Sequence, residues 1–211
     1  MKWVYSVGQK KYNRPIAITD IAINKVPATH LAGFSNSQNK YIQEKHKQLL
    51  KIAQQLCHTY ETNLMEVVIL IDTHTWEEWI VCGNTGCTVD IEADGRQSDG
   101  SNPAYQALLT RPKNSLLLMH NHPGTGTFSG TDFKTFCNNE SLYIMTVVGN
   151  NGSIYVMKKE FGFRSDVALT AYGNLSAQYK KYRNNGTKAI HRILKNATNY
   201  NMSYKKGRKK L

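Results

Sequence analysis

A continuous apolar run that ends in two histidines constrains the fold of this chain more than any other segment. The run SLLLM (115–119) is followed directly by His120, Asn121, His122 and Pro123. A short, unbroken apolar run is typical of a strand that is buried on both faces of a sheet. Pro123 cannot donate a hydrogen bond to a neighbouring strand, so the strand should end there. We therefore expect an α/β (α+β) fold in which helices flank a mixed β-sheet.

Length and composition favour a single globular core. The 211 residues and a hydrophobic content of 40% suffice to bury one. No stretch approaches ~18 consecutive apolar residues, and the N-terminal segment lacks the apolar region of a signal peptide. We expect a cytoplasmic protein with no membrane partner. The widely spaced cysteines are expected to be reduced thiols: Cys57, Cys82, Cys87 and Cys137.

The net charge of +12 is distributed unevenly along the chain. Residues 1–57 carry nine lysines or arginines against two acidic residues, residues 58–159 carry six against eleven, and residues 160–211 carry twelve against two. We therefore divide the chain into a basic N-terminal arm with a packing helix (1–58), a central domain (59–160) and a basic, partly helical C-terminal tail (161–211).

The basic flanks leave two interpretations open. Basic segments attract nucleic acid or acidic protein surfaces, and bases stack on tyrosines such as those interleaved with the basic residues of the tail. These tyrosines are Tyr179, Tyr182, Tyr200 and Tyr204. The alternative is that the flanks are solvated surfaces that keep the protein soluble.

Hydrophobic periodicity and turn residues predict the other elements. Helices are expected over residues 38–57, over 102–112, where Pro103 follows the cap Asn102, and over 129–138, with helical patches in the tail. Strands are expected at 2–7, 15–23, 66–72, 76–83, 88–93, 142–149 and 153–159. Short polar turns make hairpins of 66–72 with 76–83 and of 142–149 with 153–159. The last ten residues are expected to be disordered.

The end of the apolar strand offers metal ligands. Alternate residues of a strand face the same side, so His120 and His122 can converge on one cation. The glycine-containing loop after Pro123 allows the chain to fold back and bring Asp132 to the same point. Two histidines and one carboxylate are the protein ligands of many hydrolytic zinc sites. The alternative needs no metal, because Ser129 and Asp132 can cap a helix and the histidines can be partly exposed residues at a strand end.

The segments HNHP and SGTD, joined by a glycine-containing loop, resemble the JAMM motif of the MPN (JAB) zinc metalloproteases, a family that includes deubiquitinating isopeptidases and bacterial RadC-like proteins. The resemblance covers about residues 60–160. It implies the MPN/JAB architecture, which is similar to that of cytidine deaminases. It also implies one Zn²⁺ per chain, held by His120, His122 and Asp132. Glu66, in LMEVVILID, would be the catalytic acid/base, and Ser129 would donate a hydrogen bond to the oxyanion.

The resemblance implies hydrolysis of a peptide or isopeptide bond in a protein or peptide substrate, of which a ubiquitin-like protein is one candidate. The chain departs from the family in having six residues between His122 and Ser129 where seven are usual. Its strand VVILID lacks the glycines of the eukaryotic isopeptidases and is closer to the RadC-like branch. Glu78 and Glu92 compete with Glu66 for the acid/base role. The alternative functions are a phage or mobile-element protein that binds nucleic acid through its basic flanks, and an inactive MPN scaffold.

Overall fold

The computed structural model describes residues 14–84, 88–180 and 185–207. Within these residues, helices lie on both faces of a mixed β-sheet. The helices are α1 (Asp20–Asn24), α2 (Asn36–Thr59), α3 (Ile91–Asp94), α4 (Pro103–Thr110), α5 (Gly130–Asn138), α6 (Ser165–Gln178) and α7 (Asn185–Lys195), with a 3-10 helix at Ala197–Tyr200. The strands are β1 (Val67–Asp72), β2 (Glu78–Cys82), β3 (Leu116–His122), β4 (Leu142–Gly149), β5 (Ile154–Lys159) and β6 (Met202–Lys206).

The strand order of the described sheet is β2-β1-β3-β4-β5-β6. β3 and β4 run parallel, and the other neighbouring pairs in this sheet are antiparallel. The chain passes from β3 to β4 through α5, as a parallel connection requires. Because β1 runs antiparallel to β3, the first residues of β1 and the last residues of β3 lie at the same end of the sheet. Two distant segments of the sequence therefore meet there.

Alternate side chains of β3 enter two hydrophobic clusters, one on each face of the sheet. Leu116 and Leu118 belong to a cluster that α3 to α7 cover, whereas Leu117 and Met119 belong to a cluster that α1 and α2 cover. All four side chains are buried. The expectation of a central strand covered on both faces, within a mixed sheet flanked by helices, is thus confirmed.

Most of the predicted elements form where the sequence placed them. α2 begins at the capping box of Ser35 and Gln38 and extends slightly beyond the predicted helix at both ends. α4 begins with Pro103 after the side-chain cap Asn102, and α5 begins after Ser129. The two predicted hairpins form as β1 with β2 and β4 with β5. Cys57, Cys82 and Cys137 are free cysteines, as expected.

Two predicted strands are wrong, because side-chain caps start helices there. Within 15–23, the Thr19 hydroxyl accepts a hydrogen bond from Ala22 N, and α1 follows. Within 88–93, the Asp90 carboxylate accepts hydrogen bonds from the next turn, and α3 follows. A capped backbone satisfies its first amide groups locally and does not need a neighbouring strand. The strand predicted at 2–7, Cys87 and Tyr182 lie outside the described residues.

The prediction of ten disordered residues at the end of the chain is wrong for 202–206, which form β6 and pair with β5.

The three segments that differ in charge all contribute elements to the same fold. α2 of the first segment packs on β1 and β3, and the third segment contributes α6, α7 and β6. In the described part of the chain, no helix combines the length and the apolar character needed to cross a membrane.

Candidate metal centre

His120, His122 and Asp132 converge at the end of β3, and we call them the ligand cluster. The two imidazole Nε2 atoms lie 3.2 Å apart. Asp132, in the first turn of α5, places Oδ1 3.3 Å from Nε2 of His120 and Oδ2 3.3 Å from Nε2 of His122. His120 is buried and the other two residues are partly buried. These three residues could hold a metal ion.

The spacing of the ligand atoms fits a tetrahedral cation. Zinc ligands lie about 2.0–2.2 Å from the metal, so two ligand atoms at a tetrahedral angle are separated by about 3.3–3.6 Å. The two Nε2 atoms, 3.2 Å apart, are close to that range, and each imidazole nitrogen lies 3.3 Å from a different oxygen of Asp132. The other ring nitrogen of His120, Nδ1, is buried without a hydrogen-bond partner among the described residues, so the polar contacts of this ring are made through Nε2.

The charges of the ligand cluster favour an ionised carboxylate. Burial alone would raise the pKa of Asp132, but His120 and His122 outweigh burial and hold that pKa well below its usual value. Burial would lower the pKa of His122, but Asp132 and then Glu66 more than compensate, and the pKa is raised. A metal ligand must be deprotonated, so Asp132 is already in its binding form, whereas a proton on His122 competes with a cation.

Ser129 and Asp132 form a capping box at the start of α5. The Ser129 hydroxyl oxygen accepts a hydrogen bond from Asp132 N at 3.1 Å, and Ser129 N donates to Asp132 Oδ2 at 2.6 Å. The same carboxylate contacts both histidines of the ligand cluster. Helix capping and metal binding are therefore compatible, and the cap orients the carboxylate toward the histidines.

Glu66 directly precedes β1 and lies beside the ligand cluster. Its side chain is buried, and loss of hydration raises the pKa of its carboxyl to about 8; His122 partly counters this rise and Asp132 adds to it. The two competing glutamates lie elsewhere. Glu78, on β2, accepts hydrogen bonds from Tyr41 and Lys45 of α2, and Glu92 is exposed in the first turn of α3.

Asn121 is a functional candidate that the sequence analysis missed. It is completely buried, and its amide lies opposite the two histidines because it alternates with them along β3. Its Oδ1 accepts a hydrogen bond from Val67 N at 2.8 Å, and its Nδ2 donates to Met65 O at 3.0 Å. Asn121 thus holds the backbone on both sides of Glu66. A polar residue inside an apolar strand needs buried hydrogen-bond partners, so the position of Asn121 in the sequence could have indicated such a role.

Comparisons of the chain with protein-family models, with curated proteins and with solved structures find no match.

Proposed function

We propose that this protein is a zinc-dependent peptidase or isopeptidase of the JAMM/MPN type, in its RadC-like branch. One observation carries the proposal. One possible ligand atom from each of His120, His122 and Asp132 lies within 4.8 Å of the other two, with the buried carboxyl of Glu66 beside them. The expected substrate is a protein or peptide, and a ubiquitin-like protein is one candidate.

Zinc is the proposed metal because of the donor set. Two imidazoles and one carboxylate in tetrahedral spacing suit zinc better than magnesium or calcium, which prefer six or more oxygen ligands. When bound, zinc would supply Lewis acidity that polarises the scissile carbonyl and acidifies a water molecule. The ligand cluster supplies three donors, which leaves room for water or substrate as a fourth.

Glu66 is the proposed general acid and base. A carboxylate oxygen of Glu66 takes a proton from the attacking water and later delivers that proton to the nitrogen of the leaving amine. Before a cation binds, burial raises the pKa of Glu66 to about 8, so this carboxyl exchanges a proton nearer to neutral pH than an exposed glutamate does. Asn121 keeps this carboxyl in place through the backbone of Met65 and Val67.

Ser129 is the proposed donor to the developing oxyanion. Its Oγ accepts the Asp132 amide hydrogen, so the hydroxyl hydrogen remains for another acceptor. The carbonyl oxygen of the substrate becomes that acceptor as it gains negative charge. Removal of one such donor costs about 3 kcal/mol of transition-state stabilisation in other hydrolases.

Metal analysis and hydrolysis test the proposal together. We expect about one zinc per chain in the parent protein and a large loss in Asp132→Ala. The matched control is Asp166→Ala, which removes an exposed aspartate from the first turn of α6. Among peptide and isopeptide substrates, Glu66→Gln should keep zinc and lose hydrolysis, Glu78→Gln should keep both, and His122→Ala should lose both. Folded parent protein that takes up no zinc would contradict the proposal.

A second candidate function is binding of nucleic acid, which the exposed face of α7 favours. Lys188, His191, Arg192 and Lys195 follow one another at helical spacing on this face, opposite the buried residues of α7. Such a basic stripe can follow a phosphate backbone. Binding of a DNA or RNA duplex should weaken steeply with salt, and Arg192→Gln with Lys195→Gln should reduce the slope of that dependence. Salt-independent or undetectable binding would remove this candidate.

A further inference from the structure

Residues 123–128 connect His122 to the α5 cap Ser129, and we call them the site loop. The histidines of the ligand cluster belong to the central strand β3, whereas Asp132 belongs to the following helix. The site loop therefore determines how far the Asp132 carboxylate lies from the two imidazoles. A small displacement of this loop would change both of the 3.3 Å contacts at once.

The first half of the site loop is held by β4 and the turn after it. Asn150 N donates to the carbonyl oxygens of both His122 and Gly124, at 3.1 Å each. Gly149 approaches Gly124 closely, since a Cβ at position 149 would lie 2.9 Å from Gly124 O. These contacts fix where the site loop leaves the sheet. They do not reach the residues that immediately precede Ser129.

Two tyrosines of β5 and β6 hold the second half of the site loop. Tyr204 places its hydroxyl 3.0 Å from Thr127 Oγ1 and its ring edge-on to Phe128, with centroids 6.3 Å apart. The hydroxyl of Tyr155 donates to Thr125 O at 3.3 Å. The rings of Tyr155 and Tyr204 are parallel, at an interplanar angle of 3° and with centroids 6.4 Å apart. The two rings therefore form an offset aromatic pair beside the loop.

We propose that Tyr204 is a positioning residue for the metal site, and that β6 keeps the ligand cluster preorganised through it. Phe128 is almost completely buried, so the contacts of Tyr204 lie where the site loop enters the core and turns into α5. Fixing Thr127 and Phe128 fixes Ser129, and Ser129 orients Asp132 through the capping box. This inference rests on the proposed metal site.

The test compares Tyr204→Phe with Thr127→Val, their double variant, and the control Tyr200→Phe. Tyr200 is a half-buried tyrosine just before β6 that packs on the same core cluster. Each variant is loaded with zinc in competition with a chelator. Loss of the Tyr204–Thr127 hydrogen bond should weaken zinc binding by about three- to tenfold, less than loss of a direct bond to a ligand. Because the two side chains share one interaction, the double variant should bind zinc as tightly as either single variant does.

A second measurement separates positioning from general stability. Hydrogen exchange of the zinc-free proteins should be faster over residues 124–130 in Tyr204→Phe and unchanged there in Tyr200→Phe. Equal zinc affinity of Tyr204→Phe and the parent would overturn the inference, even if its unfolding temperature were lower. Absence of zinc uptake in the parent itself would overturn the proposed function, and the positioning role with it. The role would be established if the parent binds zinc, Tyr204→Phe binds it more weakly, and the control Tyr200→Phe binds it as tightly as the parent.

Discussion

Ser129 and Asp132 are joined by two hydrogen bonds. The amide of Asp132 donates to the hydroxyl oxygen of Ser129, and the amide of Ser129 donates to the carboxylate of Asp132. The second Asp132 oxygen remains available to His120, and the bonded oxygen also contacts His122. One carboxylate thus accepts a hydrogen bond from the cap residue of a helix and belongs to the group that could hold a metal ion. The stability of α5 and the geometry of the ligand cluster are coupled for this reason.

The coupling predicts two effects of Ser129→Ala. Loss of the cap should lower the free energy of unfolding of the zinc-free protein by about 1 kcal/mol, and loss of the carboxylate's orientation should weaken zinc binding. Ser35→Ala, which removes the corresponding capping box of α2, is the matched control. It should cost similar stability and leave zinc binding unchanged. Denaturant unfolding and zinc titration measure both quantities, and equal zinc affinity in the two variants would refute the coupling.

The contacts of Asn121 predict a large loss on truncation. Asn121→Ala leaves Val67 N and Met65 O buried without their side-chain partner, which should lower the free energy of unfolding by about 2–4 kcal/mol. It should also reduce hydrolysis per bound zinc, because the backbone on both sides of Glu66 is released. Asn39→Ala, at a buried asparagine that bonds the turn before α2, controls for stability alone. Equal hydrolysis by the two variants would exclude a role for Asn121 at Glu66.

The buried imidazole of His46 predicts a pH dependence of stability. Complete burial lowers the pKa of His46 from 6.5 to about 4, while Nε2 lies 2.7 Å from Thr146 Oγ1 on β4. The unfolded chain therefore binds more protons than the folded chain between these values. The contribution of His46 is complete above about pH 6.5 and is lost as the pH falls toward 4, by up to about 3 kcal/mol.

His46→Gln should reduce the slope of the unfolding free energy against pH between about pH 4 and pH 6.5, whatever its effect on stability at neutral pH. His58→Gln, at an exposed histidine of the same helix, should leave the slope unchanged. Unfolding in urea at several pH values between 4 and 7 measures the slope. A parent-like slope in His46→Gln would show that other groups cause the acid dependence.

Gly130 begins α5 where a side chain would collide with the ring of Tyr172. A Cβ at this position would lie 2.0 Å from the Tyr172 hydroxyl, whereas a Cβ at Gly173, on α6, would meet nothing within 4 Å. Gly130→Ala should therefore cost about 1–3 kcal/mol and weaken zinc binding, because either the packed Tyr172 ring or the start of α5 must shift. Gly173→Ala should add about 0.5–1 kcal/mol of stability. When combined with Gly130→Ala, Tyr172→Phe should recover part of the lost stability. No recovery would show that the collision with the Tyr172 hydroxyl is not the cause of the loss.

The local parts of the site were predictable because short-range geometry determines them. Alternation along a strand places His120 and His122 on one side, and the pattern Ser-x-x-Asp specifies the cap that orients Asp132. The buried strand and its covering helices follow from the apolar run and the helical periodicity. The roles of Ser129 and Glu66 in hydrolysis remain predictions.

The parts that the sequence did not reveal depend on pairings between distant segments. The role of Asn121 follows from the register that sets Val68 opposite His120. The role of Tyr204 depends on β6, whose lysines and single aromatic residue do not alternate in the way that predicts a strand. Its partner β5 lies some 45 residues earlier in the sequence. At 15–23 and 88–93 the apolar residues suggested strands, but single side chains, Thr19 and Asp90, started helices instead.

The contact between Tyr204 and Thr127 also orders events during biosynthesis. About 70 residues separate Asp132 from Tyr204, so at 5–20 residues per second the ribosome needs roughly 4–14 s to produce the second after the first. Throughout that interval the nascent chain already contains both histidines and the aspartate, but not the tyrosine that supports the site loop. The proposed metal site can therefore reach its full affinity only after Tyr204 has been synthesised.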